Sequence, residues 1–265
     1  MKQAGRTDWT LISLLLGFLV VVLIYVFEPG GEAVFKMLAN IITTVLPFIV
    51  VVLGVLLVKK LGTRSLQGKA VLFLTTGMFC YAIGEILWII YEEVVVSFAD
   101  IAYLLSYPFW MIGVFYGIRM ASPDIFSDKK KIITLTLVTI GVAALYLYFF
   151  PVSWEAEASL IENLITTGYI IADILLIIPL IFLCYSLITG SLSLSWSLIC
   201  LGVIATLIAD LWYARNYELY EAGYYMIDLV WYLMYFFFIY AFVQFRRVER
   251  GAREKLIKVV KAKKT

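Results

Sequence analysis

The chain has 265 residues, of which 63% are hydrophobic and 15% charged, and its 21 basic and 19 acidic side chains leave a formal charge of +2. With a mean hydropathy of +0.98, it carries more apolar surface than a soluble core of this length can hide, which excludes a water-soluble globular domain and makes a bilayer the expected solvent. Histidine is absent, which removes His-ligated haem or zinc, a phosphorelay histidine and any Ser-His or Cys-His catalytic pair.

A hydrocarbon core about 30 Å thick takes roughly 20 apolar residues per helix. In chain order, such runs fall near 9–27, 35–58, 70–91, 99–120, 132–150, 160–188, 193–213 and 223–245, here numbered spans 1 to 8. The first is full length, and no small-x-small cleavage site precedes the "EPGGE" turn at 28–32, so span 1 reads as a helix rather than a signal peptide. The expected fold is an all-α integral membrane protein with eight transmembrane helices. Nineteen of the 21 Lys and Arg lie before span 1, between spans 2 and 3, between spans 4 and 5, or after span 8. The opposite loops hold Glu28, Glu32, Glu92, Glu93, Glu155, Glu157, Glu162, Glu218 and Glu221, against only Lys36 and Arg215. Because cytoplasmic segments retain Lys and Arg, the expectation is a multi-pass cell-membrane protein with both termini cytoplasmic. Its basic inner face would meet anionic lipid, and its acidic outer face would attract cations.

Span 4 opens "ADIAYLLSYP" with Asp100, Tyr103 and Tyr107; span 8 opens "IDLVWYLMYF" with Asp228, Trp231 and Tyr235. Each has an acid, an aromatic at +3 and a tyrosine at +7. The preceding spans match as well: span 3 carries Glu85 and Trp88, and span 7 carries Asp210, Trp212 and Tyr213. Spans 2 and 6 each pair a polar residue with a proline, Asn40 with Pro47 and Asp173 with Pro179. Two parallel four-helix repeats are therefore expected, at 1–126 and 127–245, related by an axis along the membrane normal.

Positions i, i+3 and i+7 share one helix face. Asp100, Tyr103 and Tyr107 thus form one stripe, Asp228, Trp231 and Tyr235 another, and Tyr81, Glu85 and Trp88 a third. Asp173 falls near the midplane, and the other four acids fall in the outer half. A carboxylate at mid-membrane costs about 2.5–3.5 kcal/mol on insertion scales, so all five are expected to face inward. One reading is an outward-facing carboxylate–aromatic pocket for a small cation, a proton or an apolar ligand. The other is that each acid hydrogen-bonds a neighbouring helix while the aromatics belong to the interfacial belt.

The segment "SFADIAYLLSYP", with Ser97, Ala99, Asp100, Tyr103, Leu104, Tyr107 and Pro108, resembles a signature in the polytopic membrane input regions that precede diguanylate-cyclase or histidine-kinase modules in prokaryotic signalling proteins. The basic exit "VQFRRVER" after span 8 resembles the point where such proteins continue into their output. The resemblance extends over residues 9–250, with the span-4 motif its specific part, and it implies a sensory input unit. Here the chain ends about 20 residues beyond span 8, so the output is expected in a separate cytosolic partner.

The tail, 246–265, carries Arg246, Arg247, Arg250, Arg253, Lys255 and Lys258 around an apolar stripe of Val248, Ala252, Leu256 and Val259. A basic amphipathic helix on anionic lipid is expected, with docking of a cytosolic partner as the other reading and nucleic acid excluded by the lack of interleaved aromatics. Cys80, Cys184 and Cys200 all fall inside spans and read as packing residues. No cofactor, metal or enzymatic activity is expected, since metal-ligand spacing and a nucleophile–base pair are both missing. The leading expectation is a sensory or ligand-binding membrane protein; the alternative is a small cation- or proton-coupled transporter.

Overall fold

Four residues, 28–31, reverse the chain between the first two long helices. Glu28, Gly30 and Gly31 take φ of 41°, 82° and 78° there, the left-handed region that glycine enters without steric cost. The computed structural model describes residues 8–91, 96–121 and 159–262, together with individual positions between 129 and 148. Among the described residues, seven helices are long and apolar enough to cross a membrane. They are α1 (Trp9–Phe27), α2 (Glu32–Leu61), α3 (Leu66–Ile90), α4 (Phe98–Ala121), α5 (Leu160–Ser186), α6 (Ser193–Arg215) and α7 (Asp228–Ala262). A short helix Tyr217–Glu221 and a 3-10 turn Tyr225–Ile227 join α6 to α7.

These helices coincide with spans 1 to 4 and 6 to 8. Most of span 5 lies outside the described residues; its described positions are helical. The chain is an all-helical, multi-pass membrane protein. Side chains such as Leu15, Leu19, Leu23, Ile41, Val45 and Val52 are exposed along α1 and α2, an apolar surface suited to lipid rather than water.

Polar residues at the helix starts set where each helix begins. Asp8 accepts from Thr10 N and Leu11 N at 3.1 and 3.2 Å, and Ser65 Oγ accepts from Gly68 N at 2.9 Å. Ser159 and Glu162 form a capping box, with Ser159 N donating to Glu162 at 2.7 Å and Glu162 N donating to Ser159 Oγ at 3.2 Å. Each such cap satisfies backbone N–H groups that the first turn leaves without partners.

Helices α2 to α7 pack as a closed ring: α2 on α3, α3 on α4, α4 on α5, α5 on α6, α6 on α7, and α7 back on α2. Helix α1 lies outside this ring against α7 and, less extensively, α2. Two of the ring contacts join helices that run the same way. Asp100 and Tyr107 of α4 meet Tyr169 and Asp173 of α5. Thr43 of α2 bonds Tyr232 of α7, and further along a Cβ on Gly54 would lie 2.9 Å from Phe242.

The α3–α4 contact is the closest, because Gly77 presents bare backbone to Trp110. A Cβ on Gly77 would lie 2.4 Å from the indole Cδ1, and the indole Nε1 donates to the Leu74 carbonyl at 3.2 Å.

At the end where α1 begins, Arg247 of α7 reaches Asp8. Its guanidinium grips both carboxylate oxygens and also donates to Thr10 Oγ1 at 2.9 Å, while Tyr240 donates to Asp8 at 2.8 Å. The Arg247 hydrogen bond holds the Asp8 carboxyl well below the usual carboxylate range. This end also carries Lys59, Lys60 and Arg119 and is called the basic end; the other is the acidic end.

Three outcomes are expected. Replacing Gly77 with Ala forces Trp110 away from Leu74 and costs on the order of 1–3 kcal/mol as overpacking. Gly251→Ala adds a methyl where nothing lies within 4 Å and gains up to about 1 kcal/mol of helix propensity; thermal melts in detergent compare the two. The Asp8–Arg247 clamp should stabilise the fold above the normal carboxylate range and lose that contribution only as pH falls well below it, because the folded state lowers this acid's proton affinity. Acid titration of Arg247→Gln against the native chain would detect it; equal acid sensitivity of the two would mean the clamp contributes nothing.

Candidate functional site

Five carboxyl side chains lie within the bundle, and each is met by aromatic donors from other parts of the fold. Asp100 lies in the first turn of α4 and helps to cap it: Ser97 N donates to its Oδ2 at 2.8 Å, and Ser97 Oγ accepts from Ala99 N at 3.1 Å. Its other oxygen accepts from Tyr169 of α5 at 2.8 Å. This acid therefore both starts a helix and ties that helix to its neighbour.

The two tyrosines that share the Asp100 stripe bond elsewhere. Tyr103 donates to Glu85 Oε2 of α3 at 3.0 Å, and Tyr107 donates to Asp173 Oδ1 of α5 at 2.8 Å. Tyr235 of α7 reaches across the ring to Glu85 Oε1, so Glu85 accepts from two helices at once. In the other half, Trp231 Nε1 donates to Asp210 of α6 at 2.7 Å. The +3 aromatic of each stripe thus bonds the acid of the preceding antiparallel helix, Tyr103 to Glu85 and Trp231 to Asp210.

Asp228 is held by a relay of hydroxyls at the acidic end. Thr43 donates to Tyr232 at 3.0 Å, Tyr232 and Tyr25 share a bond of 2.7 Å, and Tyr25 donates to Asp228 at 2.9 Å. Tyr220 donates to the other oxygen at 3.2 Å. Through Tyr25 the peripheral α1 is fastened to α7.

Asp173 is fully buried at 0% exposure. Among the described residues no donor reaches its Oδ2, and its carboxyl meets that of Asp210 across the α5–α6 interface as acceptor against acceptor. Among the described residues, no Lys or Arg pairs with any of the five acids, and no group of three or more His, Cys, Asp or Glu is placed to hold a metal. Hydrogen bonds to charged acceptors contribute about 1.5–3 kcal/mol each, so one or two per acid are of the size needed to offset insertion.

Aromatic rings fill the space between these acids. Tyr81 packs on Tyr103, Trp110 and Tyr235 with centroids 4.7, 5.6 and 6.1 Å away. Two shallow apolar grooves border α2, one lined by Thr44, Val45, Phe48, Ile49, Val52 and Leu53; neither reaches the carboxyls. Trp88 is half-buried, and among the described residues it donates to no carboxyl. Toward the basic end the core turns apolar: Leu176, Leu180, Leu183, Trp196, Phe238, Phe242 and Phe245 are all nearly inaccessible.

The tail continues α7 without a break to Ala262. Arg246, Arg250, Arg253, Lys255 and Lys258 are exposed, with Arg250 and Arg253 paired to Glu254 and Glu249 at 2.9 and 3.2 Å. Arg247 differs in being committed to Asp8. Leu256, Ile257, Val259 and Val260 are exposed on the same helix.

The reading of stripes did not identify Tyr25, Thr43, Tyr169, Tyr220 and Tyr232 as partners. Tyr169 sits four residues before Asp173 on one helical face, a usable signal; the others depend on which helices become neighbours. The comparisons identify no relative: no protein-family model, no curated protein and no solved structure matches the chain.

Tyr235→Phe is expected to leave Glu85 with one donor and to cost about 1–3 kcal/mol, the penalty for stranding a buried polar group. Trp88→Phe should stay within about 0.5 kcal/mol. Denaturation in detergent separates them, and equal stability of the two variants would mean that the Glu85 bonds carry no weight.

Proposed function

We propose that this chain is a sensory membrane module. In this reading its carboxyl–aromatic cluster, facing the outside, responds to a proton or small ligand and passes the change along α7 to the cytoplasmic tail and a separate signalling partner. The observation that carries the reading is the division of the core. Acids and hydroxyls occupy the acidic half down to Asp173, and below them Leu176, Leu180, Leu183 and three phenylalanines of α7 fill the axis. A dry plug of this kind suits reception on one side without passage to the other. Transmission is supported by α7 itself, whose 35 residues extend about 50 Å at 1.5 Å per residue. It bears Asp228, Trp231 and Tyr235 at one end and the basic tail at the other.

The orientation, with both termini cytoplasmic in the cell membrane, rests on the basic residues gathered at one end. The proposed repeat is supported by the order of contacts around the ring, which runs through two equivalent sets of three helices, and by the matched bonds Tyr103–Glu85 and Trp231–Asp210. The resemblance of residues 97–108 to sensory input regions points the same way.

A small proton- or cation-coupled transporter is the second reading. It is favoured by the Asp173–Asp210 pair, to which no Lys or Arg is paired among the described residues, and by Pro179 on the helix that carries Asp173.

The two readings part in proteoliposomes holding pH- and cation-sensitive dyes. The sensory module is expected to give no flux of protons, sodium or potassium above empty vesicles, while tryptic cleavage of the tail changes with external pH. Flux that disappears in Asp173→Asn would replace the sensory reading with the transporter.

A further inference from the structure

We infer that Asp173 and Asp210 form a binding site for a single proton, held between the two carboxyls at the α5–α6 contact. The inference rests on the sensory reading for its role and names the ligand of that cluster. Ionised carboxylates are acceptors only. Tyr107 satisfies one oxygen of Asp173, Trp231 satisfies one of Asp210, and the remaining contact between them lacks a hydrogen from any other side chain. Among the described residues no donor reaches Asp173 Oδ2, although the residue is wholly buried. A proton supplies the missing hydrogen, and two carboxyls sharing one site retain one for that reason.

The surroundings favour a proton over a metal ion. Calcium- and magnesium-type sites take about six or more oxygen ligands, whereas here two carboxyls meet and, among the described residues, no group of three or more His, Cys, Asp or Glu is placed to hold a metal. Tyr107 of α4 and Trp231 of α7 bond the pair, and the titratable groups close enough to sense its charge are Tyr81 of α3 and Tyr169 of α5. All four are neutral aromatics. The next acid, Glu85, is held by Tyr103 and Tyr235, and among the described residues no Lys or Arg neutralises the pair.

Removal of the shared proton would set two negative charges against each other across α5 and α6. Raising the pH should therefore loosen that contact, and lowering it should restore the contact. Because Trp231 of α7 donates to Asp210, a loosened α6 would be felt at the start of the helix that carries the tail.

Infrared spectroscopy of the full chain in liposomes tests this directly through the carbonyl band of a protonated carboxyl. Asp173→Asn and Asp210→Asn should each remove one such band, and the double variant should remove no more than either alone, since an amide supplies the hydrogen that the proton provided. The native chain should lose the same band as pH rises and melt at lower temperature, while the single variants show no such fall over that range. Losses that add in the double variant, or a native chain without the band, would overturn the shared site. The native measurements decide the matter even if a variant fails to fold. Tail cleavage in the same samples keeps the two readings apart. A band that titrates without any change at the tail would retain the proton site and remove the sensory function.

Discussion

Placing five carboxyl groups inside a helical bundle, where among the described residues no Lys or Arg pairs with them, is the constraint on which the rest of this structure turns. A membrane interior supplies neither water nor counter-ions, so each acid must find protein donors. Tyrosine and tryptophan suit the task because each brings one polar hydrogen on a large apolar body that packs in a bundle core. The consequence is mechanical as well as electrostatic. Seven aromatic donors reach the acids from α1, α4, α5, α7 and the short helix before α7. The polar bonds therefore fasten helices to one another at particular heights, which apolar packing by itself specifies only loosely.

That arrangement also divides the molecule along its length. In the acidic half, helix contacts are made by directional bonds that depend on protonation and on the position of a hydroxyl. In the basic half they are made by close packing of Leu, Phe and Trp, with Thr206 bonded to its own helix and to Met234. The first kind of contact can switch when a proton is lost, and the second resists change because dense interiors transmit displacement rather than absorb it. Helix α7 runs through both halves and ends in the exposed tail, so a change in the first has a stiff route to the second. The Asp8–Arg247 clamp lies on that route, where α7 passes the start of α1.

The sequence was most legible where physics is local. Span lengths follow from the apolar runs, and the seven described helices begin and end near the expected boundaries, except that α7 runs on to Ala262. The inward placement of Glu85, Asp100, Asp173, Asp210 and Asp228 follows from the cost of exposing them to lipid. The pattern at 97–100 could have been read further, since Ser-x-x-Asp is a capping signature and explains much of why an acid stands at that helix start. Helical spacing placed Tyr103 and Tyr107 on the Asp100 face, but it could not say that they would bond Glu85 and Asp173. Those pairings depend on ring order, which brings α4 beside both α3 and α5. Trp88 shows the limit from the other side: it shares the Glu85 face yet is too near the helix end to meet an inward partner. The uninterrupted run of α7 into its tail was likewise hidden, because the apolar span to 245 and the basic amphipathic stretch from 246 differ in composition and read as separate units.

The proposed repeat gains meaning from the places where its halves diverge. Tyr103–Glu85 and Trp231–Asp210 are equivalent bonds, so an ancestral four-helix unit with one acid–aromatic lock would account for both. The partner of each lock is not preserved. Asp173 of α5 is buried against Asp210, whereas Asn40, its counterpart on α2, is exposed on the outer face beside a shallow groove. On that side Tyr235 crosses the ring to Glu85 instead, giving the acid a second donor where Asp210 faces another acid. Glu85 has thus become a joint with both oxygens satisfied, while Asp173 keeps an oxygen that no donor among the described residues reaches. That difference between the halves is the observation from which the proposed proton site at the α5–α6 contact is argued.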